Sequence, residues 1–460
     1  MTRPLVMKFG GSSVAGAAAM SQAARIVAAA ASRAHPIIVV VSAMSGVTDD
    51  LLSASVAARE GGLEDVERRI SAVQARHRAA VDELFQVPKA AAEVWSDVAR
   101  ECDELRGVLT SVAILRELTP RGADRVAAAG ELMSSRIVAG VLRANAVPAR
   151  WIDARRVIVT DTGFGSAVPQ VDATKVAAFE QIQPALEAGE VAVVGGFVGA
   201  TSDGITTTLG RGGSDVSAAI IGAAMDAVEI QIWTDVDGML TADPRVVSHA
   251  ETVGQLSFEE ASELAYFGAK VLHPSTILPA IEKNIPVRIL NTLRPERPGS
   301  LIMADGGEGR ALTAIACKRN VTVVDITSTR MLLAYGFLRQ VFEVFERHAT
   351  SVDVVTTSEV SVSMTLDDDR RIDAIERDLS AFASVRIERG MAIVSAVGDN
   401  LRADPSSAIS VIAALGRLPL RMVSQAASRR NVTVVLSDAD VPAAMTRLHD
   451  AFFSRVGAEP

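Results

Sequence analysis

The chain has 460 residues, of which 49% are hydrophobic and only 4% aromatic, with a net charge of −9 and an isoelectric point near 5.4. The length predicts two or three domains, and the acidic balance excludes a nucleic-acid partner, which needs a basic face. Two distant cysteines, Cys102 and Cys317, exclude a disulfide framework and favour a reduced, cytoplasmic setting. The longest apolar runs have strand length, so we expect no membrane-spanning helix, and the N-terminus shows no targeting leader.

The first part of the chain alternates strands with helices. A strand at 5–9, a glycine turn, an alanine-rich helix and a fully apolar strand at 37–41 predict a βαβ unit covered on both faces. Residues 50–118 are charged and have helical periodicity, which predicts a helical insertion. The pattern predicts a three-layer α/β domain with a mainly parallel sheet over residues 1–292. The further predicted elements are helices at 123–144, 174–187 and 215–224, and strands at 149–153, 191–197 and 228–234.

The last third of the chain has shorter predicted elements, which occur twice in the same order. Residues 293–312 are rich in proline and glycine and predict a linker. After it, the order strand, helix, strand, strand, helix occurs twice. This duplication predicts two ferredoxin-like βαββαβ domains, over 313–388 and 389–460. The predicted elements are 322–327, 337–348, 352–356, 360–366 and 371–382 in the first copy, and 392–397, 407–415, 420–424, 432–436 and 441–452 in the second.

Two glycine-rich turns follow predicted strands and are suited to binding phosphate. Lys8 precedes Gly10 and Gly11, where glycine lets an anion approach the backbone and lysine supplies a charge. The spacing fits neither the Walker A nor the dinucleotide pattern, although an ordinary strand-to-helix turn remains possible. The second turn contains Asp215 and also Arg211, which can bind a carboxylate through two hydrogen bonds. Two such turns in one α/β domain indicate phosphoryl transfer.

Three further strings carry polar residues, and each has a plain structural alternative. The aspartate-rich string at 233–238 suits a tight turn, and its spacing is not that of a calcium loop. Lys270 beside a glycine suits a solvated lysine, and Glu131 at a helix start suits the helix dipole. The scattered histidines show no metal-binding pattern, so we predict no metal ligands among the protein side chains.

Together the five motifs resemble those of the aspartate kinases, within the amino acid kinase family. The strings occur in the family's order and span the whole first domain. The duplicated tail resembles the paired ACT domains of the same enzymes, so the resemblance covers nearly the entire chain. The matching strings are 8–14, 130–134, 208–215, 232–238 and 267–274.

The resemblance implies a role for each matching residue. Lys8, Asp215 and Lys270 form the implied catalytic set, in which Asp215 holds the two lysines in register. In the substrate set, Arg211 binds the α-carboxylate and Glu131 binds the ammonium group. Leu240 stands where some members have a tyrosine beside the nucleotide. The implied ATP-binding set is Lys8, Gly10, Gly11, Thr234, Asp235, Leu240, Arg245 and Lys270, and the implied substrate set is Ser42, Thr48, Glu131 and Arg211.

The implied reaction transfers the γ-phosphoryl group of ATP, with Mg²⁺, to the β-carboxylate of L-aspartate. The products are 4-phospho-L-aspartate and ADP, in the first step of lysine, threonine and methionine biosynthesis. A carboxylate is already ionised at neutral pH, so this reaction needs no general base. The alternatives are a glutamate-type amino acid kinase and a catalytically inactive ACT amino-acid sensor.

The resemblance also implies feedback inhibition by lysine. Backbone donors at a helix start can hold an α-carboxylate, and nearby acids can pair with amines, although such acids also solvate ordinary turns. We expect a homodimer or larger assembly through the ACT domains, because a single βαββ sheet leaves an open edge. The implied effector set is Met331, Gly336, Phe337, Leu338, Ser351, Val352, Asp353, Thr357 and Glu359.

Overall fold

The computed structural model describes residues 2–32, 35–267, 274–306, 312–328, 335–399, 401, 405–425 and 429–453. The chain divides into two compact units. The first comprises Met1–Gly238 and His273–Ala304, and the second comprises Met239–Leu272 and Asp305–Pro460. Among the described residues, no helix is long and apolar enough to cross a membrane.

The helices and strands follow the alternation that the sequence predicts. The helices are α1 (Ala17–Ala31), α2 (Val47–Arg59), α3 (Leu63–Leu84), α4 (Pro88–Leu115), α5 (Pro120–Ala127), α6 (Ala129–Ala144), α7 (Val171–Glu187), α8 (Gly213–Ala224), α9 (Phe258–Tyr266), α10 (Leu278–Glu282), α11 (Phe337–Arg347), α12 (Ile372–Ser380), α13 (Pro405–Leu415) and α14 (Val441–Phe453). The strands are β1 (Leu5–Phe9), β2 (Ile37–Val41), β3 (Ala149–Ile152), β4 (Val159–Thr160), β5 (Val191–Gly195), β6 (Val198–Thr201), β7 (Thr206–Thr208), β8 (Glu229–Thr234), β9 (Gln255–Ser257), β10 (Val287–Asn291), β11 (Ser300–Met303), β12 (Ala314–Thr327), β13 (Val355–Thr357), β14 (Ser361–Leu366), β15 (Ser384–Val397), β16 (Leu420–Gln425) and β17 (Asn431–Ser437).

A mainly parallel sheet forms the centre of the first unit. Its strands lie in the order β3-β5-β2-β1-β8-β10-β11, and β10 and β11 are antiparallel. All five residues of β2 are buried, as the apolar run at 37–41 predicts for a strand covered on both faces. One large apolar cluster joins this sheet to α1, α4 and α6. The predicted three-layer α/β fold is confirmed.

The first unit differs from the sequence prediction in three places. The predicted strand at 191–197 ends at Gly195, because Phe197 turns the chain with a φ of 65°. β4, β6 and β7 form a separate three-stranded sheet that was not predicted, since strands of two to four residues are too short for a periodicity signal. The predicted helix at 123–144 is divided into α5 and α6.

The second unit is built on one six-stranded antiparallel sheet, in the order β13-β14-β12-β15-β17-β16. The duplicated order of elements is confirmed, with α11 and α12 over one apolar cluster and α13 and α14 over another. β12 and β15 are each 14 residues long and pair along both halves of the sheet. The predicted domain boundary at 388/389 therefore lies inside β15.

Two segments belong to other parts of the fold than the sequence predicts. The predicted linker at 293–312 contains β11, which pairs with β10. The segment Met239–Leu272, which the sequence places in the first domain, belongs to the second unit. The reason is apolar packing, since Ala242 and Val247 lie in the same cluster as Met445 and Leu448 of α14.

Candidate active site

The carboxyl ends of the central parallel strands all lie at the same end of the sheet in the first unit. β1 pairs with β2 on one side and with β8 on the other, so the connections diverge from this point. In open α/β sheets, ligands bind outside the carboxyl ends of the strands where the strand order reverses. Lys8 lies near the end of β1, Ser42 follows β2 and Gly196 follows β5. The fold thus brings the predicted turns to a common edge.

Lys8 forms an ion pair with the first turn of α8. Its Nζ lies 2.6 Å from Oδ1 of Asp215, and the two side chains are only 10% and 17% exposed. α8 begins after Gly212, whose φ of 69° lies in the left-handed region that favours glycine. The helix N-terminus and the lysine together give this position a positive potential, which favours an anion.

A cavity of about 250 Å³ opens beside this ion pair. It combines a lysine, a buried glutamate, two hydroxyl groups and the glycine-rich start of α8. A cavity lined by both a lysine and a carboxyl group suits a zwitterionic amino acid. The lining residues are Lys8, Ser42, Thr48, Glu131, Phe197, Gly210, Gly212, Gly213, Ser214 and Asp215.

Glu131 is the least compensated charged group in this cavity. It lies in the first turn of α6 and is 4% exposed, and its Oε2 atom has no hydrogen-bond partner among the described residues. Burial raises its pKa to about 8, and a backbone hydrogen bond from Ala43 and the charge of Lys8 oppose this only partly. A buried acceptor without a partner beside a cavity suggests that a ligand supplies the missing donor.

Close packing of glycines fixes the walls of the cavity. A Cβ atom on Gly196 would lie 2.7 Å from Cβ of Ser214, and one on Gly213 would lie 2.5 Å from the ring of Phe197. Phe197 itself has a φ of 65°, which is strained for an aromatic residue and is commonest at functional sites. The start of α8 can therefore approach the end of β5 only with these residues.

Asp124, which was not predicted from the sequence, connects the loop at Gly165 to β7 beside the cavity. It is 3% exposed, and its carboxylate accepts hydrogen bonds from the backbone N–H of Gly165 at 3.0 Å and of Thr208 at 2.9 Å, and from the Thr208 hydroxyl at 2.8 Å. β7 carries Thr208 and leads directly to Gly210 of the cavity wall. The only sequence signal is a charged residue on the apolar side of α5.

Thr234 and Asp235 line a second cavity, of about 460 Å³. The same glycine turn borders both cavities, since Lys8 lines the first while Ser12 and Ser13 line the second. The Ser13 hydroxyl lies 2.6 Å from the Thr292 hydroxyl, which ties the turn to the segment after β10. The full lining is Ser12, Ser13, Ala18, Ala19, Gln22, Arg25, Thr234, Asp235, Thr292 and Leu293.

Other predicted residues lie elsewhere. Arg211 is exposed on the loop between two cavity glycines and is not among the lining residues. Leu240 and Arg245 belong to the second unit, where the guanidinium of Arg245 lies 2.6 Å from the carboxylate of Asp243. Lys270 lies outside the described residues. Its predicted contact with Asp215 stays a prediction.

Part of the aspartate-rich turn after β8 has a structural role, which agrees with the alternative interpretation of this string as a tight turn. Asp237 accepts a hydrogen bond from the Asn291 amide at 2.6 Å and pairs with Arg294 at 2.9 Å. Asp235 has only the neighbouring Thr234 hydroxyl, at 3.2 Å, among its described partners. Asp235 is therefore the acid of this turn that remains accessible to a ligand.

The predicted effector residues that the structure describes lie at the start of α11 and between the end of that helix and β14. Gly336 precedes the helix with a φ of 83°, and Phe337 packs into the apolar cluster beneath it together with Val352. Leu338, Ser351, Thr357 and Glu359 are exposed, whereas the Asp353 side chain is only 3% exposed. Met331 lies outside the described residues.

Asp353 is the centre of a buried polar network in the second unit. One carboxylate oxygen accepts a hydrogen bond from the Tyr266 hydroxyl at 2.9 Å and from Nζ of Lys318 at 3.0 Å, while the other has no hydrogen-bond partner among the residues described. Lys318 also pairs with Asp367 at 2.8 Å. Burial and the charge of Asp353 raise the pKa of Tyr266, which therefore stays a hydrogen-bond donor.

Comparison with known proteins agrees with this geometry. Residues 3–291 match the amino acid kinase family, and residues 394–452 match an ACT domain. The chain is 37% identical to lysine-sensitive aspartokinase 3 of Escherichia coli, over 98% of this chain and 100% of the relative. It is 39% identical to chloroplastic aspartokinase 3 of Arabidopsis thaliana, over 97% of this chain and 81% of the relative.

Two solved structures match over almost the whole length. The crystal structure of E. coli aspartokinase III in complex with lysine and aspartate has a TM-score of 0.83 at 35% identity, covering 98% of this chain and 99% of that one. The same enzyme in complex with aspartate and ADP has a TM-score of 0.81 at 35% identity, covering 98% and 100%. The chain therefore belongs to the amino acid kinase family, and its full-length relatives are aspartokinases.

Proposed function

We propose that the chain transfers the γ-phosphoryl group of ATP to the β-carboxylate of L-aspartate. The observation that carries this proposal is the cavity in which the Lys8–Asp215 pair faces the unpartnered carboxyl of Glu131. The E. coli relative has been crystallised with aspartate and ADP, and it matches this chain along its whole length. The glutamate-type kinase and the inactive sensor are disfavoured, because the named relatives are aspartokinases and the cavity retains its charged groups.

Different residues would bind the amino acid and the phosphoryl group. Glu131 would accept the ammonium group of aspartate, which supplies the missing donor and restores the ionised form of its carboxylate. Lys8 would neutralise charge on the phosphoryl group during transfer, and Asp215 would keep the lysine in place. Because the attacking carboxylate is already ionised, the site needs to align two anions and does not need a base.

Arg211 and the second cavity complete the proposed substrate sites. Arg211 stands between Gly210 and Gly212 in the sequence, and its exposed guanidinium would bind the α-carboxylate through two hydrogen bonds. Thr234 and Asp235 would contact the nucleotide beyond the end of β8.

Mg²⁺ would enter the site bound to ATP. In kinases, this ion bridges phosphate oxygens and neutralises developing charge. Among the described residues of the first cavity, the Asp215 carboxylate is neutralised by Lys8 and Glu131 has a raised pKa. The donor set therefore suits an ion held mainly by phosphate oxygens and water, which Mg²⁺ favours.

A coupled assay of ADP release tests the proposed substrate. Purified protein would be incubated with Mg²⁺–ATP alone, and with L-aspartate, L-glutamate or N-acetyl-L-glutamate. We expect ADP release only with L-aspartate. Turnover with either glutamate compound would support the other amino acid kinases, and a lack of turnover with every substrate would support an inactive sensor.

We also propose that lysine inhibits the enzyme by binding beside Asp353. The supporting observations are the free carboxylate oxygen of Asp353 and the lysine complex of the E. coli relative. A lysine amine at Asp353 would compete with Tyr266 for the carboxylate. Tyr266 ends α9, and Lys270, which the family resemblance assigns to the nucleotide, follows it in the sequence. Inhibition requires that lysine bind the inactive state more tightly than the active one.

Self-association through the ACT sheet is part of the same proposal. β13 and β16 lie at the two edges of the six-stranded sheet, and all three residues of β13 are exposed. An exposed edge strand can pair with another chain. We expect sedimentation at micromolar concentration to give a dimer or larger species, and a monomer with and without lysine would contradict this.

A further inference from the structure

Three side chains of the kinds that ligate metals meet in the second unit, and none of them lines the cavities described above. His449 and Asp450 are neighbours on α14, and His249 lies in the segment between β8 and β9. One donor atom from each residue lies within 4.8 Å of the other two. His249 is far from the other two residues in the sequence, so no sequence motif predicts the cluster. The cluster forms only because the segment that contains His249 packs on α14.

Ring packing and one hydrogen bond hold the His449 side chain in place, and its second ring nitrogen has no described hydrogen-bond partner. It is 1% exposed, and its ring lies between the rings of His249 and Phe453, with centroid distances of 4.6 and 4.8 Å. Nε2 lies 2.9 Å from the Thr241 hydroxyl, and Nδ1 is buried without a hydrogen-bond partner in the part of the chain that the structure describes. Thr241 also accepts the backbone N–H of Glu251 at 2.9 Å. A buried nitrogen without a partner is rare and calls for a ligand.

We propose that His249, His449 and Asp450 form a binding site for a transition-metal ion of the Zn²⁺ class. Two imidazole nitrogens and one carboxylate oxygen are a donor set typical of Zn²⁺, whereas Mg²⁺ and Ca²⁺ prefer oxygen ligands. Water would occupy the fourth tetrahedral position.

The cluster needs only small side-chain movements to close on an ion. Metal–nitrogen bonds of about 2.0–2.1 Å require the donor atoms to approach each other. His249 and Asp450 are both 53% exposed and lie 3.1 Å apart, so both can rotate and the ion would replace the hydrogen bond between them. Thr241 would keep the proton of His449 on Nε2, which leaves Nδ1 free for the metal.

An ion at this site would fasten the segment at 239–254 to α14. The backbone N–H of Thr241 donates to Glu251 at 2.8 Å, so the segment folds back on itself at the base of the cluster. The same segment carries Leu240 and Arg245, two residues predicted to contact the nucleotide. The metal site itself rests on its own geometry and does not depend on the proposed function.

Calorimetric titration of the untagged full chain tests the site. The protein would be stripped with EDTA and titrated with Zn²⁺ in excess Mg²⁺, and Co²⁺ would report tetrahedral coordination by visible absorption. We expect one ion per chain, bound at least about tenfold more weakly by His249→Gln and by Asp450→Asn. Both substitutions are at exposed positions and preserve side-chain size, so folding should be retained.

Two control variants distinguish this site from other zinc ligands. His348→Gln removes a comparable pair, since His348 lies 3.0 Å from Asp378 but belongs to no three-ligand cluster among the described residues. Cys317→Ser removes the half-buried thiol. Both should bind Zn²⁺ like the wild type. The absence of binding by the wild type, undiminished binding by the His249 and Asp450 variants, or loss of binding with Cys317→Ser would each overturn the proposal.

Hydrogen exchange provides a second readout at the segment itself. Zn²⁺ should slow exchange of the Glu251 amide, which donates to Thr241, in the wild type but not in His249→Gln. Equal exchange with and without Zn²⁺ in the wild type would overturn the proposed fastening of the segment.

Discussion

At the scale of single residues, the site contains two buried ionisable groups in different electrostatic settings. Lys8 has an opposite charge at 2.6 Å, whereas Glu131 has a carboxylate oxygen without any partner. The sequence could identify both positions, because strand ends and helix starts are legible from glycine and apolar patterns. It could not identify Asp124, since the role of that residue depends on loops that meet only in the folded chain.

Replacing Lys8 with alanine should abolish phosphoryl transfer while the chain stays folded. The lysine charge is needed mainly as charge develops on the moving phosphoryl group. We expect kcat to fall below about a tenth of the wild-type value, a barrier increase of at least about 1.4 kcal/mol. Lys175→Ala, at an exposed lysine of α7, is the matched control. Retention of more than a tenth of kcat, with unchanged circular dichroism, would remove Lys8 from the mechanism.

Glu131 should make both aspartate binding and stability depend on pH. Its folded-state pKa of about 8 lies above the usual value of 4.5 because the carboxyl is buried. The folded chain therefore holds this proton more tightly than the unfolded chain, and stability falls as pH rises from about 4.5 to 8, by an amount on the order of a few kcal/mol. Ammonium binding needs the ionised form, so kcat/KM for aspartate should rise over the upper part of this range.

Glu131→Gln separates these two effects. The variant should unfold at a higher temperature than the wild type at pH 8.5 and with little difference at pH 5, and it should lose affinity for aspartate at both. Glu101→Gln is an informative contrast, because Glu101 is also buried but pairs with Arg125 at 2.6 Å, and its loss should destabilise the chain. A Glu131→Gln variant less stable than the wild type at pH 8.5 would contradict the raised pKa.

At the scale of elements, the predicted alternation of strands and helices agrees with the structure where elements are long and apolar. β2 and β5 are examples, since every residue of both strands is buried. The short strands β4, β6 and β7 were missed, and their order is fixed by tertiary contacts such as the hydrogen bond between the Thr160 hydroxyl of β4 and the Thr207 hydroxyl of β7 at 2.7 Å. Local sequence patterns do not carry such tertiary information.

Asp124 should control the loops beside the aspartate cavity. Asp124→Ala leaves three donors unsatisfied, and we expect a destabilisation on the order of 3 kcal/mol and a larger increase in KM for aspartate than for ATP. Asp161→Ala is the control, because Asp161 also accepts two backbone N–H groups in this region but is exposed. Equal changes in both KM values, or equal effects of the two variants, would refute a positioning role.

At the scale of the whole molecule, the sequence indicated a kinase domain followed by a duplicated ACT module. What it could not indicate is that β12 and β15 each extend through both halves of a single sheet. It also could not show that residues 239–272 pack with the regulatory unit, because this depends on apolar contacts with α14. The segment that carries Leu240 and Arg245 therefore shares an apolar core with α14 of the regulatory unit.

Lysine should inhibit the wild type, and Asp353→Asn should be less sensitive. The amide keeps the size of the side chain but loses the charge that would attract the effector amine. An activity titration with lysine, threonine and methionine, singly and in pairs, measures this. Asp367→Asn is a suitable control, because Asp367 also pairs with Lys318 but is 45% exposed. A wild type indifferent to lysine, or an Asp353 variant as sensitive as the wild type, would exclude this effector site.

The most direct test of the account is to identify the phosphorylated group. The protein would be incubated with Mg²⁺–ATP, L-aspartate and hydroxylamine, which traps acyl phosphates as hydroxamates, and the product identified by mass spectrometry and NMR. We predict aspartate β-hydroxamate in amounts equal to the ADP released, and neither product with Lys8→Ala. ADP release without the hydroxamate, or a hydroxamate at the α-carboxylate, would contradict the assignment of this cavity to β-carboxylate phosphorylation.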